Sequence, residues 1–273
     1  MSKNINDLLA IMATLRDPQH GCAWDKAQSY QSIVPYTLEE AYEVADTIER
    51  GAIDELPDEL GDLLFQVVFY SQIGKEQGRF NFDDCVSAIC DKLIRRHPHV
   101  FPAAEQLPEA EIPADATIAL QGWEAIKAAE RGDNGQHSVL DNVPVGLPAL
   151  TRAYKLQKRC ASVGFDWPGI EGSWDKVKEE IAEVDAELVH GVGPENTALA
   201  EELGDLMFAL VNVVRKAGFQ PETLLRSANQ KFERRFRQVE QLLADSEAQV
   251  GVASLEQMEQ AWQQVKLQEK MPR

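Results

Sequence analysis

Apolar residues along this chain recur at three- and four-residue intervals, the spacing that puts them on one side of an α-helix at about 100° per residue. In 175–190, Val177, Ile181, Val184 and Leu188 share one narrow arc and predict a core stripe. Glu180 and Glu183 fall to one side of it, roughly 40–100° from its nearest edge, and Glu179 lies near the opposite face. In 198–216, Glu202 and Asp205 share a face with Leu206, Ala209 and Val213, so two acids lead the apolar side of that helix. The connection "GVGPENT" is short enough to make the two helices antiparallel neighbours. Pairing them that way gathers Glu180, Glu183, Glu202 and Asp205. Helical patterns fill nearly the whole chain, and β-branched runs bounded by turn residues are absent, which predicts an all-α protein.

The pattern occurs twice. "TLEEAYEVADTIERGAIDELPDELGDLLFQVVFY" (37–70) resembles "VKEEIAEVDAELVHGVGPENTALAEELGDLMFALVN" (177–212), with Glu39 and Glu179 140 positions apart and Asp62 and Asp205 143 apart. "DKLIRRH" (91–97) answers "QKFERRF" (230–236), and "GWEAIKAAE" (122–130) answers "AWQQVKLQE" (261–269), both at an offset of 139. Matched segments in one order at these offsets identify a tandem duplication, with expected domains 1–135 and 136–273. The turn residues Gly132, Asp133, Asn134 and Gly135 mark the seam, and the Pro/Ala/Glu-rich stretch 102–121 reads as a long loop inside the first copy.

Composition narrows the partners. The formal net charge of −18 over 273 residues would repel a nucleic-acid backbone or an anionic membrane. A phosphorylated small molecule remains compatible where local cations reverse the sign. The opening "MSKNINDLLAIMATLRD" is amphipathic without a signal-peptide core, and no run approaches eighteen apolar residues, so a cytoplasmic protein is expected. Cys22, Cys85, Cys90 and Cys160 lack CxxC or zinc-finger spacing and read as reduced thiols.

Bare, the acidic cluster is unfavourable, because like charges repel and part-buried carboxylates lose solvation. Divalent cations resolve the conflict, and an all-oxygen ligand set suits Mg²⁺ or Mn²⁺ rather than zinc. A solvated helix surface is the bland alternative for any single E-x-x-E; two such pairs, duplicated in the chain, weigh against it. Glu187 and His190 form the E-x-x-H of di-iron bundles, but the first copy has Thr47 and Arg50 nearby and no matching His. His190 is expected to be a polar residue near a helix C-terminus.

The motif E-E-x-x-E followed by E-x-x-D, with "LRDPQHGCAWDKAQSYQSIVPYTLEEAYEV", "KRCASVGFDW" and "AWQQVKLQE", resembles the MazG-type nucleoside triphosphate pyrophosphohydrolases in their two-copy form, over almost the whole chain. The resemblance implies tandem four-helix-bundle-like domains, a homodimer, and Mg²⁺-dependent hydrolysis of nucleoside triphosphates to monophosphate and pyrophosphate. It implies Glu180, Glu183, Glu202 and Asp205 as metal ligands, with Glu179 and Glu201 as neighbouring candidates for the base. Lys231 and Arg235, four apart on one helix face, are expected to clamp phosphate beside Asn229, with Lys176 and Lys178 as weaker candidates. Trp262, with Lys266 one turn on, is expected to stack on the base, a contact open to every nucleobase. For each of these the alternatives are a solvated basic face and ordinary core packing.

The first copy keeps Glu40, Glu43, Glu59 and Asp62, a possible second metal site, together with Lys92, Arg96, Trp123 and Lys127. It departs at Cys90, where the second copy has Asn229, and at Gln66, where it has Ala209. Pro98 is expected to end its basic helix early. The second copy is therefore expected to carry the main catalytic site and the first to be structural or regulatory. A narrower pyrophosphatase for dUTP or a phosphoribosyl nucleotide, and a non-catalytic helical regulator holding structural cations, are the competing readings.

Overall fold

The computed structural model describes residues 3–101, 126, 130, 138–245 and 252–270, and it forms two compact units, Met1–Arg131 and Gly132–Arg273. Among the described residues every regular element is a helix. The first unit contains α1 (Ile5–Leu15), α2 (Ala23–Ala27), α3 (Tyr30–Glu49), α4 (Leu56–Glu76) and α5 (Phe82–Arg96). The second contains α6 (Ala149–Ala161), α7 (Ile170–Leu188), α8 (Thr197–Lys216), α9 (Pro221–Asp245) and α10 (Leu255–Lys270). No helix among the described residues is long and apolar enough to cross a membrane.

Local chemistry sets the helix starts. Asn4 with Asp7, Ser29 with Ser32, and Asn81 with Asp84 form capping boxes at α1, α3 and α5, so the first free N–H groups find side-chain acceptors. Asn196 accepts from the Leu199 amide at the head of α8. The expected early stop at Pro98 is observed: α5 ends at Arg96 after 15 residues, whereas α9 runs for 25.

In the first unit α3 packs along α4, and α1 and α5 pack on α4 as well. Thr37 early in α3 meets Tyr70 late in α4 at 2.9 Å, as an antiparallel pair requires. Met12, Ile33, Val68, Phe69 and Ile73 form the buried core. In the second unit α7 pairs with α8, α6 packs on α8, and α9 packs on α10, α6 and α8. Its apolar cluster joins Val239 and Leu243 of α9 to Ala261 and Val265 of α10.

The two helix pairs are built differently inside. At the duplication offsets, Ile33, Phe69 and Ile73 correspond to Ser173, Asn212 and Lys216. Where the first unit buries hydrocarbon, the second has a polar network. Asn212 donates to Ser173 at 3.3 Å and accepts from Arg215 at 2.7 Å, and Arg215 and Lys216 pair with Asp166 at 2.8 and 2.9 Å.

The expected stripe on α7 is rotated. The buried face carries Ser173, Val177, Glu180 and Val184, while Ile181 is 46% exposed and Leu188 also lies open. Trp174, Ile181 and Leu188 make a second apolar line pointing outward, which drew the pattern's centre away from Glu180. Leu203, Met207 and Leu210 of α8 form a similar exposed line, matched in α4 by Leu60, Leu64 and Val67.

Candidate functional site

The α7–α8 packing sets the site. Glu180 and Glu183 are one turn apart on α7, and Glu202 faces them from α8; each offers an oxygen, and these lie within 4.8 Å of one another. Glu180 is only 4% exposed, Glu202 is half-buried and Glu183 is exposed. Glu40, Glu43 and Glu59 form the equivalent grouping from α3 and α4 in the first unit. Asp205 and Asp62, expected in these clusters, are exposed one turn beyond Glu202 and Glu59 and lie outside both groupings. The sequence pattern had put Asp205 on the core-facing side; the packed face of α8 instead centres on Leu199, Ala209 and Asn212.

The clusters differ in their counter-charges. Lys176, four residues before Glu180, places its ammonium 2.6 Å from Glu180 Oε1 and 2.9 Å from Glu179 Oε1. These hydrogen bonds, to Glu179 first and then Glu180, hold the lysine above its ordinary range. Glu183, although exposed, is raised, chiefly by partial loss of solvation beside the cluster and then by Glu180, with Lys176 acting in the opposite sense. Tyr36 stands at the matching position of the first copy, and among the described residues no lysine or arginine forms an ion pair with Glu40, Glu43 or Glu59. Burial first, then a hydrogen bond with Glu43 and the charges of Asp62, Glu43 and Glu39, push Glu40 up to about 7. Glu59 is raised by burial, Glu43 and Asp62, against a lowering contribution from Arg50.

Both groupings suit a hard cation through their all-oxygen donors. In the second unit the fit has a further mark: Glu180 Oε2 is buried without a hydrogen-bond partner. An unsatisfied buried carboxylate oxygen is costly, and a cation there removes the cost. The E-x-x-H residues Glu187 and His190 belong to neither carboxylate grouping.

Apart from Lys176 and Lys178 of α7, the basic and aromatic candidates of the second unit sit on the α9–α10 pair. Arg235 donates twice to Glu269, at 2.6 and 2.9 Å, and Arg234 reaches the same carboxylate at 3.2 Å. The Arg235 guanidinium lies 5.9 Å from the Trp262 ring centre, and Trp262 packs 5.4 Å from Phe232. Lys231 and Asn229 are exposed and Lys266 is half-buried. Lys178 points away to Asp175 at 2.8 Å, and Glu201 is exposed. The first copy repeats the clasp with Arg95 and Arg96 on Glu130, at 2.8 and 2.6 Å. The two arginines, Arg96 foremost, hold Glu130 down at about 2. The clasp was missed in the sequence, although Glu130 and Glu269 stand at the matched offset; a pairing across more than thirty residues leaves no local signature. Trp123 and Lys127 lie outside the described residues.

A family model described as the MazG nucleotide pyrophosphohydrolase domain matches residues 28–101 and 173–240, one segment in each unit. The nucleoside triphosphate pyrophosphohydrolase of Escherichia coli K12 is 52% identical over 265 residues, 97% of this chain and 98% of that one. A Thermotoga maritima relative, named nucleoside triphosphate pyrophosphohydrolase/pyrophosphatase MazG, is 37% identical over 260 residues, 95% and 94% of the two chains. The uncharacterized protein YabN of Bacillus subtilis is 41% identical over 257 residues, 94% of this chain and 50% of its own.

Proposed function

The chain belongs to the MazG nucleotide pyrophosphohydrolase family, and on that premise we propose that it hydrolyses nucleoside triphosphates, ATP among them, to the monophosphate and pyrophosphate, with Mg²⁺ or Mn²⁺ and with tolerance of the base. The observation that carries this reading is the Glu180–Glu183–Glu202 cluster, together with the buried, unpartnered Oε2 of Glu180.

In this reading Glu180, Glu183 and Glu202 hold the metal, joined by Asp205 on a turn of its side chain. A divalent cation held there would supply charge neutralisation for the phosphates and a more acidic water. Glu179 and Glu201, exposed beside the ligand set, are the acids available to take a proton from that water. Arg235 and Lys231 receive the phosphates, with Asn229, Lys176, Lys178 and Lys266 in support. Glu269 must then release Arg235, so its carboxylate stands in for a substrate oxyanion until substrate arrives. Trp262, steadied by Phe232, offers a face to any base.

The second domain (136–273) carries the main catalytic site, and the first (1–135) is structural or regulatory, with Glu40, Glu43, Glu59 and Asp62 as a second metal site. The matched exposed lines of α4 and α8 support a homodimer, since apolar helix faces of this kind are normally covered. Four free thiols suit a cytoplasmic location, and the acidic charge argues against nucleic acid or membrane as partners.

A panel of nucleoside triphosphates, with products identified by mass spectrometry, tests the proposal. Monophosphate plus pyrophosphate from several bases is expected. Turnover of one nucleotide alone would replace broad tolerance by a narrow pyrophosphatase, and no product from any of them under saturating Mg²⁺ would leave a non-catalytic regulator.

A further inference from the structure

The carboxylate cluster of the second unit already contains a cation of its own. The Lys176 ammonium meets Glu180 Oε1 at 2.6 Å and Glu179 Oε1 at 2.9 Å, whereas Glu180 Oε2 stays buried and unpartnered. The lysine therefore answers half of the Glu180 carboxylate and leaves the other half open. An ammonium and a dication cannot share one carboxylate comfortably, because like charges a few ångströms apart repel strongly where water is scarce. Lys176 is one-third exposed, so it has a route out. The first copy supplies the internal control: Tyr36 occupies the same register and packs edge-on to Trp24 at 5.7 Å.

We propose that Lys176 is a tethered counter-ion that holds the second unit's carboxylates and must be displaced when a divalent cation enters, so that it weakens the cluster for free metal ions. This rests on the metal-binding reading above and deepens it. Having left Glu180, the ammonium is free to meet the phosphate oxygens of a nucleotide. The same side chain thus opposes a free ion and favours an ion that arrives with triphosphate, which couples the two binding events.

Mn²⁺ binding without nucleotide, followed at pH 8 by the electron paramagnetic resonance signal of the free ion, tests this on the full chain. Glu180→Gln and Glu40→Gln assign the bound ions to the two clusters. Lys176→Met and Lys176→Gln are each expected to raise Mn²⁺ affinity in the Glu180-dependent class by about tenfold, the scale of one released charge-assisted pair. The transplant Tyr36→Lys is expected to lower affinity in the Glu40-dependent class by a similar factor. Unchanged or weaker binding in both Lys176 variants overturns the proposal while the metal site stands. Should neither variant fold, Tyr36→Lys decides, and no loss of affinity there overturns it. Mn²⁺ binding indifferent to Glu180→Gln removes the metal site itself and the proposal with it.

Discussion

The α3–α4 and α7–α8 pairs are two versions of one design, with three glutamates at matched positions and different surroundings. In the first, the helix pair that carries the glutamates also carries a hydrocarbon core, in which Phe69 is fully buried together with Ile33 and Ile73, and the glutamates lack a paired cation among the described residues. In the second, the core positions are Ser173, Asn212 and Lys216, and Lys176 reaches into the acids. The first copy thus combines an apolar core with an uncompensated charge cluster. The second has a hydrogen-bonded core and a charge cluster already half neutralised. Duplicated carboxylates alone do not identify the working copy; their neighbours separate the two.

The sharpest way to break this comparison is to remove one ligand from each copy. Glu202→Gln is expected to lower turnover by about a hundred- to a thousandfold, and Glu59→Gln to change it by less than about twofold, measured as pyrophosphate release. The opposite result would move the chemistry to the first copy.

Stability measures the two cores. Phe69→Ala should cost about 3–5 kcal/mol, as for a large buried aromatic. Asn212→Ala should cost about 1–3 kcal/mol, the range for stranding buried hydrogen-bond partners. Urea unfolding reads both, and a larger loss at Asn212 than at Phe69 would reverse the contrast.

A pH scan of the metal-free protein addresses the first cluster. Glu40 is pushed from 4.5 to about 7 in the folded chain, so folding favours its protonated form. Its contribution to stability is fully present below about pH 4.5 and is lost as pH rises through about 7. Melting temperature in a chelator should therefore carry a falling component across that window, and Glu40→Gln should remove it.

The smallest effect belongs to the clasp. Glu269→Gln should leave stability close to that of the parent in urea unfolding, as expected for a solvent-screened pair. It should nevertheless tighten binding of a nonhydrolysable triphosphate, because Arg235 no longer has to leave an internal carboxylate.

Much of this was legible in the residues. The helical class, the duplication and the two glutamate groups follow from three- and four-residue spacing and from matched segments. The depth of Glu180 was not, because α7 carries apolar residues on two sides and a periodicity reading cannot tell an inward line from an outward one. The arc of α8 places Asp205 inward with Glu202, yet its side chain lies open, since which edge of an arc is covered depends on the partner helix. Lys176 stands at i, i−4 from Glu180, a spacing that by itself does not tell a phosphate ligand from a partner of the acids; the distances pair it with Glu179 and Glu180.

The exposed line Leu60–Leu64–Val67 and its counterpart Leu203–Met207–Leu210 have a further consequence. A chain bearing one sticky face is a monovalent particle and stops growing once it finds its twin. A chain bearing the face twice is divalent. If each line pairs with its like across a two-fold axis, one partner satisfies both, several chains close into a ring, or the assembly lengthens link by link into a polymer. Duplication of the carboxylate design therefore gave the chain two self-pairing faces in place of one, and only arrangements that close on themselves yield a particle of finite size.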